Sequence, residues 1–479
     1  MSIPHIKNAF ENVKYACEKN LKKLYPGGIP EMVKERYEEE LKYLKKSEYQ
    51  DDFEIFMRLH EEGERTSQYI MLRGTIGGSF LLYLLDNSRP NPMPAHYYCR
   101  KCGHMEIVNT GLFGIDLPEI ECPVCGEKVT GDGFGICIEA VWGTAGKKDI
   151  YFEYEISSEF LPFAKRALER LYPDSEVVTY GHEDIRDGNY RVICRRNREA
   201  ESLYPDSEVV THGHENIRDA NYRVICRRNR EAEVKPYGFA ILPKARTMKD
   251  YPEFVTYLED GEPCLSGVRC LLEESGVKVV ELSPLLWIEH LMELQRRSGL
   301  YACEVGIPEL RGMTCYDFMN SRELFTNEND LFTQEVPQNY RAMANCYAAA
   351  YNSYSCLDES EDEWIWELGK VLESLDFQEY PCYTRDDFFE QLMNCGIERA
   401  EAYRFSEIIR KGIAEWNTDF AALTIPEGLK NVAKMYLYVS PKAHVVERLL
   451  IVARLTYYMK WNSRVYSVVV RKKKSGVQK

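Results

Sequence analysis

No window of the chain comes near the about 18 consecutive apolar residues that a transmembrane helix needs, so the sequence holds no such span. The opening Met1-Ser-Ile-Pro-His-Ile-Lys-Asn-Ala-Phe-Glu11 lacks an apolar stretch and carries an early glutamate, so it does not read as a secretory signal. Positive charge is also scarce, with 61 Lys+Arg against 76 Asp+Glu and a net charge of −15. That excludes a uniformly basic coat for nucleic acid, though not a local basic groove, because field follows distribution and not the sum. What the 479 residues do hold is 44% hydrophobic and 29% charged, the balance of a folded globular chain, which excludes disorder, collagen and a small disulfide scaffold. The length suggests about three domains. The 16 cysteines, in a chain without an export signal, are expected to stay reduced in the cytoplasm.

Along the chain, residues 1–90 read as charged helices followed by a glycine-bearing loop at 72–80. In Glu31–Leu44 the apolar residues Val33, Tyr37, Leu41 and Leu44 recur at helical spacing. Residues 91–147 are rich in Pro, Gly and Cys. A strand is expected over Asp149–Tyr154 and a helix over Glu159–Leu171, and Gly238–Leu242 and Val277–Leu282 read as buried strands. Beyond Pro284 the pattern is helical, over 285–298, 339–351, 363–375, 386–395, 400–414, 427–437 and 442–461. The basic run Arg471–Lys474 near the end reads as solvated.

Residues 171–201 recur as 203–233 with three differences: Tyr180 becomes His212, Asp184 becomes Asn216 and Gly188 becomes Ala220. Solenoid repeats drift and need about three copies to bury a continuous core. Two near-identical copies indicate a recent tandem duplication.

The sharpest chemical signal is Cys99-x-x-Cys102 with Cys122-x-x-Cys125, each pair followed by glycine (Gly103, Gly126). Two intervening residues let both sulfurs face one ion, and four thiolates close a tetrahedral site, so the pattern reads as structural zinc. Arg73-Gly-Thr-Ile-Gly-Gly-Ser-Phe80 has the make-up of a phosphate-cradling loop, although alone it reads better as a glycine turn into a buried helix. On a strand, Asp149, Tyr151, Glu153 and Glu155 would share one face. Paired carboxylates there could hold two magnesium ions, or simply be the solvated acids of an edge strand. Ser440-Pro-Lys-Ala-His444 opens a helix with cations where its dipole already attracts anions. Arg410-Lys411-Gly412 closes an earlier one. Each of these could also be no more than a capped helix end.

Taken in order, these segments resemble the polymerase core of PolC-type DNA polymerase III alpha subunits, the C-family replicative polymerases. Leu24-Tyr-Pro-Gly-Gly-Ile-Pro resembles the start of that core. Arg73-Gly-Thr-Ile-Gly-Gly-Ser-Phe80 resembles its R-G-S-V-G-S-S-F loop. Asn91-Pro-Met-Pro-Ala-His-Tyr-Tyr-Cys99 resembles its N-P-L-P-P-H-Y-x-C lead into a zinc module. Lys235-Pro-Tyr-Gly238 stands where the family has H-P-G-G, and Gly306-Ile-Pro-Glu-Leu310, Arg410-Lys-Gly412 and Pro441-Lys-Ala-His444 follow. The resemblance implies an α+β fold: an N-terminal helical part (1–90), a zinc module (91–147), a palm-like region with its sheet (148–300, containing the duplication) and a mainly helical fingers-like region (301–479). It also implies phosphate or dNTP contacts from Arg73, Gly74, Gly77, Ser79, Arg410, Lys411, Lys442 and His444. Primer–template DNA, dNTP and replication proteins would be the partners, with structural zinc as cofactor and magnesium if catalytic.

The departures are as informative. Asp149 keeps the first aspartate of the family's P-D-I-D-L segment, the second falls on Tyr151, and the third, in an L-D-I-L-G segment, falls on Glu281. A neutral phenol, with pKa about 10, supplies none of the bridging charge of the missing carboxylate. No segment resembles the family's exonuclease, PHP domain or clamp-binding tail. The expectation is a degenerate, non-catalytic relative that binds DNA, dNTP or a replication partner. An active DNA-directed DNA polymerase and a structural remnant without DNA binding are the alternatives.

Overall fold

The spacing in Glu31–Lys46 does produce a helix, but its buried face carries Val33, Tyr37, Glu40 and Leu44, with Leu41 only partly covered. A carboxylate thus occupies a core position. Ala9–Leu24 and Gln50–Thr66 are the other two helices of the charged N-terminal stretch. The computed structural model describes residues 3–183, 193–196, 222–225, 234–267, 269–311, 313, 337–355 and 364–474. It divides into two compact units, residues 7–158 with 285–479, and residues 1–6 with 159–284.

In the larger unit the glycine-rich loop leaves the strand Met71–Arg73, makes a tight turn over Thr75–Gly78 and enters the helix Phe80–Leu85. Met71–Arg73 pairs antiparallel with Glu153–Ile156, Arg73 opposite Glu153 and Met71 opposite Glu155. The strand expected over Asp149–Tyr154 therefore begins four residues later. Gly74, at φ 87°, turns the partner chain away beyond Arg73, so nothing on that side continues the ladder to Asp149. Alternation persists nonetheless: Ile150, Phe152 and Tyr154 are buried against the aromatic face of Gln50–Thr66, with Phe53 and Phe152 in edge contact at 5.3 Å, while Asp149 and Tyr151 face outward.

Beyond Pro284 the helices arrive much as expected: Leu286–Ser298, Tyr340–Tyr351, Trp364–Leu372, Arg385–Asn394, Arg399–Arg410 and Lys442–Trp461. One differs. The helix expected over 427–437 stops at Lys434, and Tyr436–Tyr438 instead pairs with Ser353–Tyr354, where the Tyr354 and Tyr436 rings meet at 4.8 Å and the Tyr436 hydroxyl donates to the Cys382 carbonyl. The basic run expected to be a loose end is helical as far as Lys474. Lys442–Trp461 is buried from Lys442 to Thr456 without a break, and its Leu449, Leu450, Ile451 and Val452 pack with Ile288, Leu291 and Met343 in the main core. No helix among the described residues is long and apolar enough to cross a membrane.

The smaller unit opens with the helix Leu161–Leu171, two residues short of the expected start because Ser158–Phe160 forms a tight turn. Its strands run in the order Lys278–Pro284, Val234–Ile241, Val177–Glu183, Pro263–Ser266 and Val255–Tyr257. Gly238 sits at φ 138°, and a Cβ there would meet the Val280 carbonyl oxygen at 2.0 Å, so the close approach of Val234–Ile241 to Lys278–Pro284 requires glycine.

The duplication falls on this sheet in a definite way. Val177–Glu183, from the first copy, pairs antiparallel with Val234–Ile241, which follows the second copy. Within the connection, Ile193–Arg196 of the first copy pairs with Tyr222–Ile225 of the second. The rest of both copies, His212 included, lies outside the described residues. The surplus copy thus lengthens one hairpin connection and leaves the five-stranded register untouched. Deleting residues 202–233 is expected to preserve the fold by circular dichroism. It should raise stability by about 1 kcal/mol in urea titration, because a shorter loop costs less to close.

Candidate functional site

Among the described residues, four thiols form one cluster with metal-holding geometry. The Sγ atoms of Cys99, Cys102, Cys122 and Cys125 all lie within 4.8 Å of one another, with Cys99–Cys125 at 3.5 Å and Cys102–Cys122 at 3.6 Å. Four thiolates at about 2.3 Å from a central ion sit about 3.8 Å apart. Gly103 (φ 77°) and Gly126 (φ 71°) make the two turns, each donating its N–H to the carbonyl of the pair's first cysteine. The donor set and its spacing fit a metal ion.

The second constellation gathers the glycine-rich loop, the acidic strand and the long helix. Arg73 donates from Nη1 to Glu153 Oε1 at 3.0 Å, both side chains partly exposed. One turn of pleat further in, Glu155 is buried and ion-paired to Arg448 of Lys442–Trp461. Glu155 keeps the strand face it shares with Glu153, but there that face is covered, and a buried guanidinium receives it. The Gly74 N–H donates to His444 Nδ1 at 3.3 Å. His444 is buried, and burial, with Arg448 and Arg73 nearby, brings its imidazole down to about 3, so it is neutral with its proton on Nε2.

Other residues expected to meet phosphate are engaged inside the protein. Ser79 caps Phe80–Leu85 and donates to Glu40 Oε2 at 2.7 Å, and the Glu40 carboxylate also accepts the N–H groups of Phe80 and Leu81. The anion position at that helix start is thus filled by the protein's own Glu40. Gly77 leaves room for Glu447, whose side chain would stand 3.0 Å from a Cβ there and which is ion-paired to Arg89. Burial raises the Glu447 carboxyl to about 7 in spite of Arg89. At the start of the long helix the Lys442 N–H donates to Asp386 Oδ2 at 3.0 Å, and Lys442 Nζ donates to Glu390 Oε1 at 3.1 Å and to the Gly135 carbonyl at 3.3 Å. Arg410 Nε donates to Glu407 Oε2 at 3.0 Å, and Lys411 beside it is exposed.

Sequence reasoning passed over several groups here. Arg448 and Glu447 pair with residues remote in sequence, Glu40 and Glu407 combine a partner one helical turn away (Arg36, Arg410) with remote ones, and nothing local marks any of the four as buried. Lys148 is the exception that could have been noticed, since it precedes Asp149 directly.

Glu281 lies in the smaller unit on Lys278–Pro284, opposite Gly238, with Arg269 Nη1 at 3.7 Å from Oε2. Asp149, in the larger unit, is exposed. Tyr151, where the second aspartate was expected, is 47% exposed.

The comparisons point to one class of protein: residues 11–159 match the family described as the bacterial DNA polymerase III alpha NTPase domain. More particularly, it is related to the PolC-type enzymes. It is 24% identical to the DNA polymerase III PolC-type of Thermotoga maritima, over 95% of this chain and 34% of that protein. It is 22% identical to that of Bacillus subtilis, over 97% of this chain and 33% of that protein. With the enzyme of Halalkalibacterium halodurans it shares 30% identity over 180 residues, 37% of this chain and 13% of that protein. The chain spans about a third of the length of the curated relatives it matches along most of its own.

Because His444 titrates far lower folded than unfolded, its contribution is fully present above about 6.5 and is lost as pH falls toward about 3. Melting curves between pH 7 and pH 4 should show His444→Gln, whose amide oxygen can still accept the Gly74 N–H, losing less stability on acidification than the parent protein.

Proposed function

We propose that this chain is a non-catalytic PolC-like relative that keeps a zinc-stapled polymerase core and binds primer–template DNA and nucleoside triphosphate. One observation carries the reading. Tyr151 supplies no carboxylate, and the two acids that follow on the same strand are each neutralised by an arginine, Glu153 by Arg73 and Glu155 by Arg448. Two-metal phosphoryl transfer needs carboxylates that bridge both ions. A buried, paired Glu155 would leave Arg448 uncompensated if it moved to a metal, a cost of about 3–5 kcal/mol.

Binding draws support from Arg73, Gly74 and Lys411, which remain at least partly open to solvent. Gly74 has no atom within 4 Å of where a Cβ would stand, so its backbone can be approached closely. Gly77, Ser79, Lys442 and His444 would act on phosphate by shaping the loop and helix ends, and Arg410 through its pairing with Glu407. Zinc is the reading for the four thiols because structural sites of this spacing are closed and tetrahedral. The purified chain should carry one zinc per molecule by metal analysis, falling to none in Cys102→Ser with Cys125→Ser.

Primer extension with all four dNTPs, with Mg²⁺ and then Mn²⁺, tests the central claim. No incorporation is expected, alongside a gel shift on primer–template DNA that weakens steeply with salt. Incorporation abolished by Asp149→Ala would mean that an active metal site has re-formed. Absence of both signals would favour an interaction protein without DNA affinity.

A further inference from the structure

The turn ahead of the acidic strand is built to deliver one side chain. Gly143 (φ 65°), Ala145 (φ 55°) and Gly146 (φ 74°) all sit in the left-handed region, which a non-glycine residue such as Ala145 enters only at a cost of about 1 kcal/mol or more. A Cβ on Gly143 would stand 2.7 Å from the Lys148 Cβ, so the turn closes only around glycine. It closes through the Lys148 N–H on the Trp142 carbonyl at 3.1 Å. The result places Lys148 Nζ 2.7 Å from the Ala140 carbonyl and 3.4 Å from Thr75 Oγ1, on the glycine-rich loop next to Gly74.

The charges around that ammonium do not balance locally. Its nearest carboxylate, Glu407, is 4.0 Å away and already accepts from Arg385 at 2.8 Å and from Arg410 at 3.0 Å. Three cations thus converge on Glu407, with Arg385 also paired to Asp386 at 3.0 Å, and Lys411 adds a fourth positive charge at the exposed end of the same helix, so cations still outnumber carboxylates. A largely buried ammonium without a close carboxylate of its own is costly. An anionic ligand at the loop would offset that cost.

We propose that Lys148 is a phosphate ligand at the glycine-rich loop, where it supplies the charge neutralisation that a divalent ion would otherwise give, so that a nucleoside triphosphate binds this chain without a metal. The inference rests on the nucleotide-binding reading above and sharpens it. The same short segment that places Tyr151 in the acidic face, removing a metal ligand, places a buried cation one residue ahead of Asp149. Thr75 Oγ1, the open backbone at Gly74 and Arg73 complete the groups through which the triphosphate would be held, and Glu407 is the internal anion that it would relieve.

The test is a titration of the full chain with a fluorescent dATP analogue, in Mg²⁺ and in EDTA, for the parent protein, Lys148→Met and Lys148→Arg. The parent is expected to bind equally well, within about threefold, in both buffers. Lys148→Met should weaken binding about tenfold or more, the size of one lost charge-assisted hydrogen bond. Lys148→Arg should restore most of it. Binding lost in EDTA would overturn the proposal. So would a folded Lys148→Met protein, checked by circular dichroism, that binds like the parent. If no form binds nucleotide in either buffer while the gel shift on DNA persists, this inference fails and the DNA-binding reading stands. Loss of both would take down the two together.

Discussion

The helix Lys442–Trp461 can lie in the core only because each charge it carries is answered there. Asp386 accepts its first N–H, Glu390 takes Lys442, the Gly74 N–H meets a neutral His444, and Arg89 pairs with Glu447. Glu155 takes Arg448, while Arg454 donates to the Val305 and Ser88 carbonyls and to the Tyr69 hydroxyl. An isolated buried charge is among the most expensive features a protein can contain, whereas a paired one is close to neutral in stability but strict about geometry. The helix therefore fixes the glycine-rich loop, the acidic strand and the segment Arg385–Asn394 to itself through partners that cannot be removed one at a time.

That constraint shapes the chemistry left available. Groups that look like phosphate ligands when read singly are largely occupied by carboxylates of the same chain: Glu40 at one helix start, Asp386 at another and Glu407 among three cations. The carboxylates that could have served a metal are occupied in turn, by Arg73 and Arg448. Such mutual neutralisation favours a rigid scaffold over a site of high charge. What stays open to solvent is a narrow stretch: Arg73, Gly74, the outward face of Asp149 and Tyr151, and Lys411.

Much of the frame was legible in advance. Helix positions beyond Pro284 followed from apolar spacing, and the four cysteines came together as their spacing required, since two residues between thiols and a glycine beyond admit one local geometry. The strand Val234–Ile241 was anticipated only in its second half, as an apolar run over Gly238–Leu242. The misreadings share a cause. The acidic strand begins at Glu153, not Asp149, because a strand ends where its partner turns away, and that partner is Met71–Arg73, far off in sequence. The helix expected to reach residue 437 stops at Lys434 because Tyr436 finds a better position against Tyr354. Glu155 shares the face of Glu153 as alternation requires, but it is buried there because Arg448 covers and receives it.

The sequence by itself determined the local periodicities, the thiol cluster, the tandem copy and the tyrosine among the acids at 151, since each of these is written within a few dozen contiguous residues. Only the tertiary structure decided which charges are spent and which are left over. A carboxylate's role depends on whether a cation from a remote element reaches it before solvent or ligand does. Neither Glu40 nor Lys148 carries that information in its own neighbourhood of the chain.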